Sequence, residues 1–290
     1  MSPKRILMVG CGKIGLRVAK LLSTNNEVWG LSRGHQEAEK QNIQFITADV
    51  CEPESLNSQL PKNIDYLIYC LTPAERSESA YRQVYLTGLK NTLSALVNNQ
   101  SLKRLYFVSS TAVYHQDASE VVNESSSTHP NSFSGQVLLE AEALCAASPH
   151  PSTVIRFSGI YGAQRNRLIQ QVKSGQAQLS TTCRLTNRIH EDDCVGFIHH
   201  LVQEDILGNT VEPLYLSSDS KPVDLNEVIG FLASELSVSL EGQLEGKHDT
   251  RRAGNKKCNN QKMLESGYQL RFPSYQEGYL EMLKTSSRRA

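Results

Sequence analysis

Short unbroken apolar blocks alternate along the first half of the chain with longer stretches whose apolar positions recur every three or four residues. "KRILMVG" is one such block, closed by glycine, and predicts a strand covered on both faces. The following "KIGLRVAKLLSTNN" places Ile14, Val18, Leu21 and Leu22 on one helical face and stops at an Asn pair suited to a left-handed cap. "EVWGLSR" and "IQFITAD" read as strands, "PESLNSQL" as a short helix with Pro in its first turn, and "IDYLIYCL" as another buried strand. A long helix is predicted from about Glu78 to Asn99, then the strand "LYFVSS", the helix "SFSGQVLLEAEALCAA" and the strand "STVIRFSGIYG". Strands alternating with helices imply an α/β fold with a parallel sheet covered on both faces.

After Gly162 the regularity weakens. Helices around "NRLIQQVKSG", "DDCVGFIHHLVQE" and "LNEVIGFLASELS" are separated by "RLTNRIH" and "PLYLSSD", with no internal repeat and no low-complexity linker. The expected division is a core over residues 1–165, rejoined by 186–218, and a smaller C-terminal lobe over 166–185 and 219–290.

Charge removes some partners. The chain of 290 residues holds 30 basic and 30 acidic side chains, so no global field argues for nucleic acid or an anionic membrane. Seven scattered cysteines, none closer to the next than the pair Cys183 and Cys194, match neither a zinc knuckle nor a redox CxxC, and no metal site is expected. A reduced, cytoplasmic compartment is the simplest expectation. The apolar run after "MSPKR" is too short for a secretory signal, and no stretch approaches the ~18 apolar residues of a membrane span.

The chemistry starts at "VGCGKIG". Gly10, Gly12 and Gly15 have GxGxxG spacing directly between a predicted strand and a predicted helix, with Cys11, Lys13 and Ile14 completing the turn. The glycines suit a tight turn, a close backbone approach to a pyrophosphate and close helix packing, and the helix N-terminus offers N–H groups to the anion. The expected fold is therefore a Rossmann-type doubly wound sheet binding a dinucleotide. The second strand ends in Ser32 and Arg33, where an acidic residue would grip the ribose diol of NAD. A hydroxyl and a guanidinium suit a 2′-phosphate instead, so NADP(H) is the preferred cofactor and NAD(H) the alternative. Asp49, with Val50 beside it, stands where the adenine amino group would be capped, or else starts a turn. Leu71, Thr72 and Pro73 close the fourth strand, and Ser109, Ser110 and Thr111 close the next, so both reach the carboxyl edge where the nicotinamide half would lie.

With "GCGKIG", "TADV", "YRQVYLTGLKNTL", "VSSTAVY", "RFSGIYG", "RIHEDD" and "LYLSSD" in this order, the chain resembles the extended short-chain dehydrogenase/reductase superfamily, its NAD(P)-dependent sugar epimerase/dehydratase group. The resemblance covers nearly the whole length. It implies that Ser110 polarises the substrate carbonyl or hydroxyl, and that a Tyr-x-x-x-Lys pair one helix later carries the proton. Aligning "PNSFSGQVLLEAE" on Pro130, Gly135 and Glu142 puts Ser134 at the tyrosine position and Leu138 at the lysine position. Both groups of the relay are missing, which removes a factor of roughly 10² to 10⁴ from positioned proton transfer. The resemblance also implies dimers built from two helices per subunit, here the segments near 78–99 and 132–147.

Tyr114, Tyr161 and His190 are the candidates to fill the gap, each with a structural alternative of packing its loop; Asp192 and Asp193 resemble a helix start. His115, His199 and His200 read as loop and helix-surface residues. Arg251, Arg252, Lys256, Lys257 and Lys262, with Arg156, Arg165, Arg167, Arg184 and Arg188, form either a phosphate-binding surface, as the resemblance implies for a nucleotide-sugar substrate, or a solvated face. The expected activity is NADP(H)-dependent oxidoreduction or epimerisation of a small carbonyl, hydroxyl or nucleotide-sugar-like compound. The alternative is an inactive NADP(H)-binding sensor.

Overall fold

The computed structural model describes residues 2–34, 42–57, 59–240 and 254–287. The strands are β1 (Arg5–Val9), β2 (Glu27–Ser32), β3 (Ile43–Thr47), β4 (Tyr66–Tyr69), β5 (Arg104–Ser110), β6 (Val121–Val122), β7 (Ser152–Phe157), β8 (Gly159–Tyr161), β9 (Leu185–Thr186), β10 (Arg188–His190), β11 (Leu214–Ser217), β12 (Val223–Asp224) and β13 (Lys257–Cys258). The helices are α1 (Gly15–Leu22), α2 (Pro53–Asn57), α3 (Glu78–Arg82), α4 (Gly88–Ala95), α5 (Phe133–Ala146), α6 (Arg167–Lys173), α7 (Glu191–Leu207), α8 (Leu225–Leu236), α9 (Gln261–Glu265) and α10 (Tyr275–Ser287).

Seven strands make one parallel sheet in the order β11-β7-β5-β4-β1-β2-β3, the doubly wound arrangement expected from the alternating pattern. β1 pairs with β2 on one side and β4 on the other, so the chain reverses its direction of winding at the end of β1. Ligands of open α/β sheets bind at that edge. β4 is buried at every position, and β1 at every position but Arg5, which explains their unbroken apolar sequence.

Four local expectations are corrected. In α1 the buried positions are Gly15, Val18, Ala19 and Leu22, while Leu21 is 46% exposed. The buried arc is rotated toward the small residues Gly15 and Ala19, and Gly15 packs against the turn at Gly10 and the side chain of Met8. The Asn pair after α1 takes no left-handed conformation. Instead Asn26 Nδ2 donates to Leu22 O at 2.9 Å and its Oδ1 accepts from Lys4 N at 3.1 Å, capping the helix with a side chain. The long helix expected over 78–99 is α3 and α4 joined by a π-helical segment, Gln83–Thr87. The strand "STVIRFSGIYG" breaks at Ser158 into β7 and β8.

Contacts divide the chain into two compact units: Met1–Val113, Pro130–Arg156 and Val195–Tyr215, and Tyr114–His129, Phe157–Cys194 and Leu216–Ala290. The second unit includes 114–129 because Val121 and Val122 pair in parallel with Lys257 and Cys258, and Asn255 N donates to Gln116 O at 2.7 Å. Its core joins α6, α8 and α10 through Ile169, Val172, Val228, Leu232, Tyr275 and Tyr279. Among the described residues no helix is long and apolar enough to cross a membrane, and no cluster of ligating side chains could hold a metal ion.

Candidate functional site

The turn after β1 is held by its glycines for three different reasons. Gly10 has φ +103°, and a Cβ there would lie 2.4 Å from Cys70 O and 2.9 Å from Leu71 Cδ2. A Cβ on Gly15 would lie 1.9 Å from Gly10 O, so α1 starts in contact with the turn itself. Gly12 is exposed, and a Cβ there would meet nothing within 4 Å. Nothing among the described residues demands glycine at that position, whereas a pyrophosphate lying on the turn would. Lys13 is exposed beside it, and the first turn of α1 carries no acidic residue to repel an anion. Cys11 and Ile14 point inward, 5% and 6% exposed, so only their backbone faces the edge. Burial pushes the Cys11 thiol up to about 12, with Cys70 adding to it, which makes it an inert packing group over Gly30.

At the end of β2, Ser32 Oγ donates to Gly34 O at 2.8 Å and Arg33 is exposed. Asp49, after β3, starts a turn: its Oδ1 accepts from Cys51 N at 2.9 Å, and its N–H and C=O both bond Ser55 Oγ at 3.0 Å. The Cys51 thiol is pushed up to about 11, first by burial and then by the Asp49 charge, while Arg33 pulls the other way. Val50 is buried, and its carbonyl accepts from Asn91 Nδ2 at 2.9 Å.

At the end of β4, Leu71 lies against Gly10, Thr72 is exposed and Pro73 is buried. Tyr85, in the π-helical segment, donates to Leu71 O at 3.2 Å, and Tyr69 donates to Val84 O at 2.6 Å. Such segments leave helix carbonyls in need of other donors and recur at functional sites. Neither tyrosine was expected here from the sequence. The signal was Gly88, where a Cβ would come 2.7 Å from Tyr69 Oη.

At the end of β5, Ser109 and Ser110 separate. Ser109 is 5% exposed and donates to Glu142 Oε1 at 2.6 Å, in a buried ion pair with Arg156. Its hydroxyl faces this pair, which leaves only its backbone for a ligand. Ser110 is half-buried, and its Oγ accepts from Ala112 N at 3.1 Å. Helix α5 presses on the turn after it, since a Cβ on Gly135 would lie 2.5 Å from Ala112 O. Ser134 and Leu138, at the relay positions, are both buried, and Ser134 Oγ shares a 3.1 Å hydrogen bond with the capping Ser132. Phe133 meets Tyr81 edge-on at 5.4 Å.

In the second unit the remaining candidates are enclosed. Tyr114 is fully buried and donates to Asn123 O at 2.9 Å. Tyr161 and His190 are 4% and 5% exposed and meet edge to face at 5.2 Å. His190 Nδ1 accepts from Asp192 N at 3.2 Å, and its ring lies 4.2 Å from Phe272. Asp192 and Asp193 do open α7, and Asp193 accepts from Arg271 N, Phe272 N and Tyr268 Oη at 2.7, 3.0 and 3.0 Å.

The basic set is not one solvated face. Arg156, Arg188 and Lys256 are buried; Lys256 Nζ donates to Tyr114 O at 3.1 Å, and burial lowers its pKa. Arg165 and Arg184 are half-buried and Arg167 and Lys257 exposed; Arg251 and Arg252 lie outside the described residues.

The sheet order and the glycine turn at its point of reversal define a Rossmann-type nucleotide-binding protein. The profile of the NAD dependent epimerase/dehydratase family matches residues 6–208, and the chain belongs to that family. A protein of Methylobacillus flagellatus assigned to the NAD-dependent epimerases/dehydratases is 36% identical, with a TM-score of 0.80 and full coverage of both chains. The fold is shared with a UDP-glucose 4-epimerase of Thermotoga maritima (16% identity, TM-score 0.78, 97% of this chain and 99% of that one). It is shared equally with a dTDP-glucose 4,6-dehydratase of Streptomyces venezuelae (17% identity, TM-score 0.79, 97% and 96%). No curated protein matches the chain.

Proposed function

We propose that the chain binds NADP(H) at this turn and works as an oxidoreductase or epimerase on a small carbonyl or hydroxyl compound, with Ser110 orienting the reacting oxygen. The observation that carries the reading is Gly12, exposed and with open space where its Cβ would be. The backbone from Gly10 to Gly15 would hold the pyrophosphate, Ser32 and Arg33 the 2′-phosphate, Asp49 and Val50 the adenine side, and Leu71, Thr72, Pro73 and the Ser109 backbone the nicotinamide side. When bound, the dinucleotide supplies the hydride chemistry; the chain needs only to orient it and exclude water.

Tyr114, Tyr161 and His190 serve packing in this reading, because each is buried. Ser110 is a poor acid or base on its own, so the proton would pass to substrate or solvent. The buried Ser134 and Leu138 favour the second reading, a sensor that binds NADP(H) without turnover.

The test has two arms. Arg33→Ala should weaken NADPH binding at least tenfold more than NADH binding in calorimetry, and equal losses would refute the 2′-phosphate assignment. A panel of sugars, aldehydes and ketones should include at least one that changes nicotinamide absorbance; binding without any such change leaves the sensor.

A further inference from the structure

Five buried side-chain oxygens of the second unit meet no hydrogen-bond partner among the described residues: Gln116 Oε1, and four that belong to neighbouring backbone segments, Ser158 Oγ, Tyr161 Oη, Ser217 Oγ and Asp219 Oδ2. The residues of these four are 5%, 4%, 0% and 1% exposed. Buried polar atoms left in this state are costly and are usually met by internal water.

They sit on three strand ends that are tied to one another. Ser158 N donates to Ser217 O at 2.9 Å, Tyr161 pairs in register with His190, and Asp219 N donates to Arg188 O at 2.6 Å. Asp219 Oδ1 accepts from Lys221 N at 3.2 Å, which leaves Oδ2 as the open acceptor. After burial itself, the charge that most raises the pKa of the Tyr161 hydroxyl is that of Asp219. Neither oxygen is a direct hydrogen-bond partner of the other.

We propose that Ser158, Tyr161, Ser217 and Asp219 line an internal water site, and that Asp219 is held there as the neutral acid, making this joint of the second unit responsive to pH. The surrounding charges favour water over an ion. Arg188 on β10 opposes a bound cation, while Asp193 on α7 and Glu277 on α10 oppose an anion. The Lys221 backbone N–H bonds the other carboxyl oxygen. Burial pushes the Asp219 carboxyl up to about 7, against the pull of Arg188 and the Lys221 N–H and with the push of Asp193 and Glu277. Because the folded value lies above the unfolded one, its contribution to stability is present at low pH and is lost as pH rises toward the folded value. The joint it loosens on charging holds Arg188 against Asp219, and Ser220 N against Pro273 O at 2.9 Å.

Thermal melting of the full chain and of Asp219→Asn between about pH 5 and about pH 8 tests this. The wild type should lose roughly 5 °C relative to the variant across that range. Parallel curves would overturn the proposal. A crystal structure of the wild type gives an arm that needs no variant: ordered water bridging Asp219 Oδ2 and Tyr161 Oη is expected. A direct bond between those two groups, or four oxygens with no water among them, would overturn it equally.

Discussion

Ser109 Oγ donates to Glu142 Oε1 at 2.6 Å, deep beside the end of β5. Arg156 brings Nε to 3.0 and 3.2 Å and Nη2 to 2.5 Å of the same carboxylate. The three side chains tie β5, α5 and β7 together by direct bonds. Successive strand residues face opposite ways, so anchoring Ser109 on the ion-pair side turns Ser110 to the other.

The pair gives a stability prediction. Glu142→Gln takes the carboxylate's charge away from the buried Arg156 guanidinium, and should cost about 3–5 kcal/mol. Replacing both partners, Glu142→Leu with Arg156→Met, should recover most of that loss, because an apolar pair avoids desolvating either charge. Urea unfolding of the three variants decides it, and a Glu142→Gln midpoint equal to wild type would remove the argument.

Gly10 and Gly12 should separate folding from binding. Gly10→Ala puts a Cβ against Cys70 O at a positive φ, so the variant should lose several kcal/mol of stability or fail to fold. Gly12→Ala meets open space, so its melting temperature should match wild type or rise slightly, while titration with NADPH should show affinity falling at least tenfold. Unchanged affinity in a folded Gly12→Ala protein would detach the turn from the cofactor.

Lys256 predicts a pH dependence of the opposite sign to that of a lysine whose pKa is raised by an ion-pair partner. Burial lowers its folded pKa below the model-peptide value of 10.5, so the unfolded chain binds more protons and stability rises with pH through the window between the two values. Lys256→Met removes that term. The stability of wild type relative to the variant should therefore grow from neutral pH toward about pH 10, whatever its sign at neutrality, where Met also loses the bond to Tyr114 O. Chemical unfolding at several pH values measures it; a constant difference would mean that the amine stays fully charged.

The sheet was legible because strands buried on both faces need unbroken apolar runs, and "ILMV" and "YLIY" supply them. The glycine turn was legible because its requirements are local. What escaped depended on distant partners. Nothing local to "VSSTAV" says that Ser109 faces Glu142, thirty-three residues on, while Ser110 does not. His190 and Tyr161 read either as proton carriers or as loop packing, and it takes Phe272 and Tyr279, from the far end of the sequence, to decide for packing. The π-helical segment escaped for the same reason, since the donor to Val84 O is Tyr69 on a strand.

Tyr161 also fixes an unrelated glycine. A Cβ on Gly278, in α10, would lie 1.9 Å from Tyr161 Oη and 2.7 Å from its Cζ, and the ring already packs at a tilt against Tyr279, with centroids 4.6 Å apart. Gly278 has no positive φ, so the strain of Gly278→Ala comes from this contact alone and offsets the ~1 kcal/mol that alanine gains in a helix. The net loss should be about 1–3 kcal/mol, the range for overpacking a filled core. Tyr161→Phe deletes the atom that clashes most. In a double-mutant cycle the alanine should then cost less in the Phe background, with a coupling of about 0.5–3 kcal/mol. Additive losses would show that α10 shifts as a body instead of pressing on the hydroxyl.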